Sequence, residues 1–187
     1  SVYTWGRGNY GQLGQGDEQD QHTPKQVEAL REVRVVALAA GYAHGMAVTS
    51  AGALYTWGMG DGGRLGHGDD HDQHTPKQVE ALREVRVVSA AAGMYHSMAV
   101  TSSSALYTWG AVIGRRLVHG HSTIEHTPNQ VEALREVVTL ASGAHHCMVV
   151  TSTGALYTWG RGNGGRLGHG DEQDQHTPKQ VEALREV

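Results

Sequence analysis

The residues of this chain that could do chemistry are first its histidines and aspartates. His67, His71 and His74 stand beside Asp69, Asp70 and Asp72, and imidazole and carboxylate together hold zinc or another transition metal. The corresponding stretch nearer the start has Gln15 and Gln19 where this one has His67 and His71. A metal site would therefore belong to a single loop, and a solvated polar loop is the better expectation. The aspartates also miss the spacing of an EF-hand calcium loop. No metal and no cofactor is expected.

Acid–base or nucleophilic catalysis fares no better. His44, His96 and His146 occupy one position per repeat, each just before a strand. A general base normally appears once, paired with a nucleophile and an orienting group, so a histidine present in every unit is expected to hydrogen-bond within the fold. Cys147 directly follows His146, but adjacent strand residues point to opposite faces, and the thiol reads as a small buried side chain. Gly6-Arg7-Gly8-Asn9-Tyr10-Gly11 matches Gly-x-Gly-x-x-Gly, whose amides cradle phosphate when a helix follows. It sits in a β-repeat without a following helix, and no P-loop lysine with its serine or threonine is present. Trp5, Trp57, Trp109 and Trp159 recur once per unit and are expected to bury their large area between neighbouring units. No residue receives a catalytic role, and the chain is expected not to be an enzyme.

Composition supports this reading. A hydrophobic fraction of 39% and a charged fraction of 18% belong to a chain that folds rather than stays disordered. The net charge is −4, and no run of lysine or arginine offers a track for a phosphate backbone, so direct contact with nucleic acid is not expected. The single cysteine has no intrachain partner, which suits a reducing, intracellular compartment, whether cytoplasm or nucleus. No apolar run approaches the roughly 20 residues that span a bilayer, and the first residues lack the pattern of a targeting segment. No membrane partner is expected.

The elements that must position these residues come from a repeat. Tyr-Thr-Trp-Gly ends at Gly6, Gly58, Gly110 and Gly160, and His-Thr-Pro ends at Pro24, Pro76, Pro128 and Pro178, so the period is 52, 52 and then 50 residues. A period of this size indicates a solenoid or propeller. Each unit reads as four short strands. In the first they are Lys25 to Leu30, Arg34 to Ala40, His44 to Thr49 and Ala53 to Trp57, with Ser50-Ala51-Gly52 as a hairpin turn. The second is apolar on both faces and must be covered on both. Val27, Leu30 and Val33 also fall at helical spacing, so a helical turn there is the alternative to the first strand. Units that cannot bury both faces alone stack radially.

Leu54-Tyr55-Thr56-Trp57-Gly58, then Gly63-Arg64-Leu65-Gly66-His67-Gly68-Asp69, Thr75-Pro76, Val79, and Ala92-Gly93 with His96 resemble one complete repeat of the RCC1 (regulator of chromosome condensation) family. The resemblance covers essentially the whole chain. It implies an all-β, RCC1-type β-propeller, with three complete four-stranded blades from Pro24 to Trp57, Pro76 to Trp109 and Pro128 to Trp159 plus flanking strands, as part of a seven-bladed ring. Such a ring needs about 360 residues at this period, so the chain reads as a piece of a longer one. Residues 1–187 form one repeat domain with units at about 1–23, 24–75, 76–127, 128–177 and 178–187.

The function expected from this resemblance is a non-catalytic protein–protein interaction scaffold, prone to associate through exposed blade faces. Guanine-nucleotide exchange on a Ran-type small GTPase is the alternative implied by the founding family member, which uses one face and a hairpin inserted within a blade. Every Trp-to-Pro interval here is 19 residues, and the others are 33, 33 and 31, which leaves no room for that insertion. A substrate-recruiting propeller within a larger ubiquitin ligase is a further alternative, so the partner is a protein, whether a small GTPase or a large assembly. Plant ultraviolet photoreceptors of this superfamily carry Gly-Trp-Arg-His-Thr, which is absent. One loop stands out as a partner contact. In the third unit, residues 111–125 replace the Gly- and Asp-rich loop, and Val112, Ile113, Val118, Arg115, Arg116 and His121 combine apolar area with paired arginines of the kind enriched at binding hot spots.

Overall fold

Short runs of valine, threonine and aromatic residues, punctuated by glycine, favour brief strands over helices. In the computed structural model, which describes residues 1–111 and 124–185, β1 (Tyr3–Gly6) and β2 (Gln21–Gln26) form a two-stranded sheet. Three four-stranded antiparallel sheets follow. The first contains β3 (Val35–Ala40), β4 (His44–Thr49), β5 (Leu54–Gly58) and β6 (Gln73–Gln78). The second contains β7 (Val87–Ala92), β8 (His96–Thr101), β9 (Leu106–Gly110) and β10 (Glu125–Gln130). The third contains β11 (Val137–Ser142), β12 (His146–Thr151), β13 (Leu156–Gly160) and β14 (Gln175–Gln180). The three expected blades are present, flanked by two further strands. No helix of the described residues is long and apolar enough to cross a membrane.

The strand carrying His-Thr-Pro pairs backward along the chain, not forward. It was expected from Lys25 to Leu30 as the first strand of its unit, yet it spans Gln21–Gln26 and is the last strand of the preceding sheet. Two local causes act together. The glycine-rich loop after β5 returns the chain beside it, with Tyr55 opposite Gln78, Thr56 opposite Lys77 and Gly58 opposite Gln73. The helical alternative then holds for the next residues: Glu28–Leu30, Glu80–Leu82 and Glu182–Leu184 are 3-10 turns, and the first two carry the chain across to the following sheet. The blades therefore run from Val35 to Gln78, Val87 to Gln130 and Val137 to Gln180, offset from the sequence periods. As the outermost strand, it tolerates a proline that lacks a donor, and proline with a neighbouring lysine blunts the open edge.

The strand covered on both faces is β4, buried throughout, as is β8. The segment Arg34 to Ala40, expected to be so, forms β3 and alternates: Val36 and Leu38 lie on one face and are each 57% exposed. The core lies between sheets. Met46, Val48 and Leu54 of the first sheet meet Val79 and Leu82 of the connecting turn and Val87, Ala99 and Trp109 of the second. The next boundary repeats this with Met98, Val100 and Leu106 against Val131, Leu134, Val137, Val149 and Trp159. Trp109 and Trp159 are the largest groups in these boundaries and Trp57 fills the one before them, each such side chain burying about 150–250 Å²; Trp5, expected between units as well, is 61% exposed.

Candidate functional site

The repeated histidines sit where each first strand turns into the second. Gly41 N–H donates to His44 O, Gly93 N–H to His96 O and Gly143 N–H to His146 O, each at 2.9 Å. The imidazole folds back over the glycine: a Cβ on Gly41 would stand 2.5 Å from His44 Cε1, and one on Gly93 or Gly143 would overlap the ring of His96 or His146 still more closely. His44 Nε2 lies 2.9 Å from Ser97 Oγ in the next sheet. That hydroxyl donates to Arg64 O at 2.8 Å, so it accepts from Nε2–H, and Nδ1 is the unprotonated nitrogen. His96 Nε2 likewise meets Ser142 Oγ at 2.6 Å, and Ser142 donates to Gly143 O at 3.1 Å. Both Nδ1 atoms are buried without a partner. Burial, and lesser repulsion from neighbouring cationic groups, pushes both imidazoles down to about 3, so they are neutral near pH 7.

The two acceptor hydroxyls come from different positions of the repeat. Ser97 aligns with Gly45 and Cys147, whereas Ser142 aligns with Ala40 and Ala92. A thiol is a weak hydrogen-bond partner, and Ser142 supplies the hydroxyl that Cys147 does not. Cys147 itself is fully buried, and desolvation pushes its thiol up, which opposes formation of a nucleophilic thiolate.

Sequence reasoning gave Arg64 no role beyond its place in the motif, yet it joins the first and second sheets. Its side chain is 0% exposed. Nε donates to Asp61 O at 2.7 Å and Nη1 to Met94 O at 2.8 Å, while Nη2 lies 3.3 Å from Asp61 Oδ2. The guanidinium stacks 4.6 Å from the centroid of Tyr95. Its carbonyl also accepts from Trp109 Nε1 at 2.9 Å. Arg166, in the matching Gly-Gly-Arg-Leu-Gly context, keeps the local bond to Asn163 O at 2.8 Å but stays exposed. The legible signal was an arginine held at a fixed offset inside a glycine-rich loop.

The loop histidines and aspartates diverge. His67 Nε2 lies 3.0 Å from Thr56 Oγ1, which donates to Leu65 O; His169 with Thr158 repeats this, and Gln15 Nε2 donates to Thr4 Oγ1 at 2.9 Å in the first unit. Glutamine and histidine are interchangeable here because each turns an Nε2–H toward the threonine hydroxyl. Burial, with Lys77 adding to it, pushes His67 down to about 4. His71 is 3.4 Å from Asp69, His74 reaches Glu18 at 3.3 Å, and His126 reaches Asp70 at 3.2 Å. Asp20, Asp72 and Asp174 accept from the amides of Gly8, Gly60 and Gly162 at 2.7–2.8 Å. The loop at Gly6–Gly11 thus turns one of its amides onto its own carboxylate. Among the described residues, no group of three or more His, Cys, Asp or Glu side chains could hold a metal ion. His67→Gln is expected to change stability by less than about 0.5 kcal/mol, and His67→Ala to cost about 1 kcal/mol through the lost hydrogen bond; thermal melts of the two variants check this.

The partner-contact candidates Val112, Ile113, Arg115, Arg116, Val118 and His121 lie outside the described residues.

A family model described as the regulator of chromosome condensation (RCC1) repeat matches residues 1–48, 51–100, 103–150 and 153–187. Its units run from the third strand of one sheet to the second strand of the next, so each repeat ties two sheets together covalently. The chain is 41% identical over 138 residues to the E3 ubiquitin-protein ligase HERC2 of Homo sapiens, covering 72% of this chain and 3% of that protein. It is 38% identical over 137 residues to the ultraviolet-B receptor UVR8 of Arabidopsis thaliana, covering 73% of this chain and 31% of the receptor. Among solved structures, human WBSCR16 superposes with a TM-score of 0.87 at 25% identity, over 96% of this chain and 48% of that one. Prp20p of Saccharomyces cerevisiae, described with its binding properties to Gsp1p and histones, superposes with a TM-score of 0.81 at 25% identity, over 96% and 46%. The chain spans under a third of these curated relatives and under half of these solved chains.

Proposed function

The chain belongs to the RCC1 repeat family, and from that premise we propose that it acts as a non-catalytic protein–protein interaction scaffold inside the cell. One observation carries this reading: His44, His96, Arg64 and the buried tryptophans are committed to holding the sheets together. His44 and His96 bond serines of the next sheet, Arg64 is sealed beneath Tyr95, and Trp57 and Trp109 fill inter-sheet boundaries. What is left to vary is the loops, which a rigid frame presents to partners. The partners are proteins, not nucleic acid or membrane.

A second reading, the substrate-recruiting part of a larger ubiquitin ligase, is favoured by the 41% identity to HERC2. It is the same scaffold function with a defined cargo. Exchange activity on a Ran-type GTPase has less support, because the 19-residue Trp-to-Pro interval is constant in all four units.

The third-unit loop is the proposed contact, through Val112, Ile113, Arg115, Arg116, Val118 and His121. Replacing Ile113 and Arg116 by alanine, then comparing cross-linked partners and thermal stability with the parent chain, tests this. Lost cross-links at unchanged stability are expected. Unchanged cross-links with lowered stability would make the loop a packing element and remove it from the interface.

A further inference from the structure

The first strand of every four-stranded sheet carries the same irregularity. Its register against the second strand slips by one residue between Val35 and Ala37 in β3, between Val87 and Ser89 in β7 and between Val137 and Thr139 in β11. A bulge of this kind leaves one residue out of the ladder and re-aims its side chain. Val36, Val88 and Val138 are those residues, and they are 57%, 43% and 55% exposed. β3 lies beside β7, and β7 beside β11, so the three valines stand in one apolar row. Val88 is exposed with a neighbouring sheet on either side of it.

Two residues before each bulge the chain carries a charge. Ser50 N–H donates to Arg34 O, Ser102 N–H to Arg86 O and Ser152 N–H to Glu136 O, each at 2.8 Å, which places Arg34, Arg86 and Glu136 at one equivalent point. Between Leu134 and Val137 the third unit is two residues shorter than the others, so a glutamate stands there in place of arginine. Arg31, Arg83 and Arg135 each pair with the glutamate three residues before. Arg34 and Arg86 have no carboxylate partner among the described residues. Arg86 donates from Nη2 to Ser50 O at 2.8 Å and is still exposed.

We propose that this end of the sheets docks an extended segment of a partner protein rich in both carboxylates and aliphatic side chains. The aliphatic groups cover Val36, Val88 and Val138, and the carboxylates pair with Arg34 and Arg86. Charge complementarity identifies the occupant: two guanidinium groups without a carboxylate flank an apolar row. Glu136 repels acid at the third position and so sets the direction of the segment, its acidic end over the first two sheets. A nucleic-acid strand would satisfy the arginines but brings no aliphatic side chain to the valines. The surface is separate from the third-unit loop. Val87 pairs with Thr101 at one end of the second sheet, whereas Gly110, from which the chain enters that loop, pairs with His96 at the other. The inference rests on the scaffold reading for its protein partner, and its failure leaves that reading standing.

The test follows the fluorescence anisotropy of a labelled peptide, Glu-Ile-Glu-Val-Glu-Ile, titrated with this chain. Glu-Ser-Glu-Ser-Glu-Ser, Lys-Ile-Lys-Val-Lys-Ile and a labelled oligothymidylate are titrated beside it. Saturable binding of the first peptide alone is expected, weakening as salt rises. Replacing Val36, Val88 and Val138 together by threonine, which is isosteric, is expected to weaken binding about tenfold at an unchanged melting temperature. Arg86→Glu is expected to weaken it by more than about tenfold, and Glu136→Gln to tighten it about twofold. No binding of the first peptide, equal binding of the serine peptide or the oligonucleotide, or binding unmoved by the three threonines would overturn the proposal. Loss of binding in the Ile113→Ala, Arg116→Ala chain would also overturn it, since the peptide would then sit on the third-unit loop.

Discussion

Lowering the pH from about 6.5 to about 4.5 is expected to remove about 5 kcal/mol of stability through His44 and His96 alone. Both imidazoles are fully buried, and burial holds each at about 3 in the folded chain against an ordinary value of 6.5. Above the unfolded value neither state binds the proton, and the two groups leave stability unchanged. Between 6.5 and 3 the unfolded chain takes up protons that the folded chain refuses, so stability falls as pH falls, by roughly 1.4 kcal/mol per pH unit for each histidine. The groups around them reinforce this: Arg64 and His96 act on His44, and His145 and His146 act on His96, all disfavouring the charged form. A whole domain has only about 5–15 kcal/mol to lose. Urea unfolding followed by far-ultraviolet circular dichroism at several pH values checks the slope. A His44→Gln, His96→Gln double variant keeps an N–H donor and does not titrate in this range, so its slope is expected to be shallower; an equal slope would assign the acid sensitivity elsewhere.

Arg64→Leu is expected to cost about 2–3 kcal/mol, the range for losing hydrogen bonds from a charged group and leaving a backbone acceptor unpaired. The same substitution at Arg166 is expected to change stability by less than about 0.5 kcal/mol, as at most surface sites. The two arginines share the Gly-Gly-Arg-Leu-Gly context, and they differ in their cover and in Asp61 against Asn163 three residues before. Arg64 lies under Met94 and Tyr95, so its removal leaves Met94 O without its donor and Tyr95 without the guanidinium at 4.6 Å. Its burial lowers its pKa while Asp61 opposes that shift, and the guanidinium stays cationic at neutral pH. Denaturant midpoints of the two variants decide the matter, and equal losses would contradict the inter-sheet role given to Arg64.

Much of the fold was legible because the repeat reports it four times. His44–Thr49 was read with the bounds it has, and the Leu-Tyr-Thr-Trp strand ran within a residue of its place. Pairing direction was not legible. A strand of Gln-His-Thr-Pro-Lys-Gln carries no mark of whether it joins the sheet behind or ahead; the return loop after β5 and the 3-10 turn at Glu28–Leu30 settle that. The metal reading weighed in the loop rested on His67, His71 and His74 beside Asp69, Asp70 and Asp72; His67 turns instead to Thr56, the contact that Gln15 makes with Thr4 in the first unit. Ser97 and Ser142 escaped notice for the opposite reason. Neither position is repeated, so a search for recurring residues passes over the two hydroxyls that satisfy His44 and His96.

Release of labelled nucleotide from a Ran-type GTPase, measured with this chain at substoichiometric concentration, bears most directly on the scaffold reading. His44, His96 and Arg64 are buried, and each Trp-to-Pro interval keeps its 19 residues, so release is expected to stay at the spontaneous rate as the chain is added. Release that rises with the amount of chain, with each molecule turning over many GTPases, would contradict the account and make the chain an exchange catalyst.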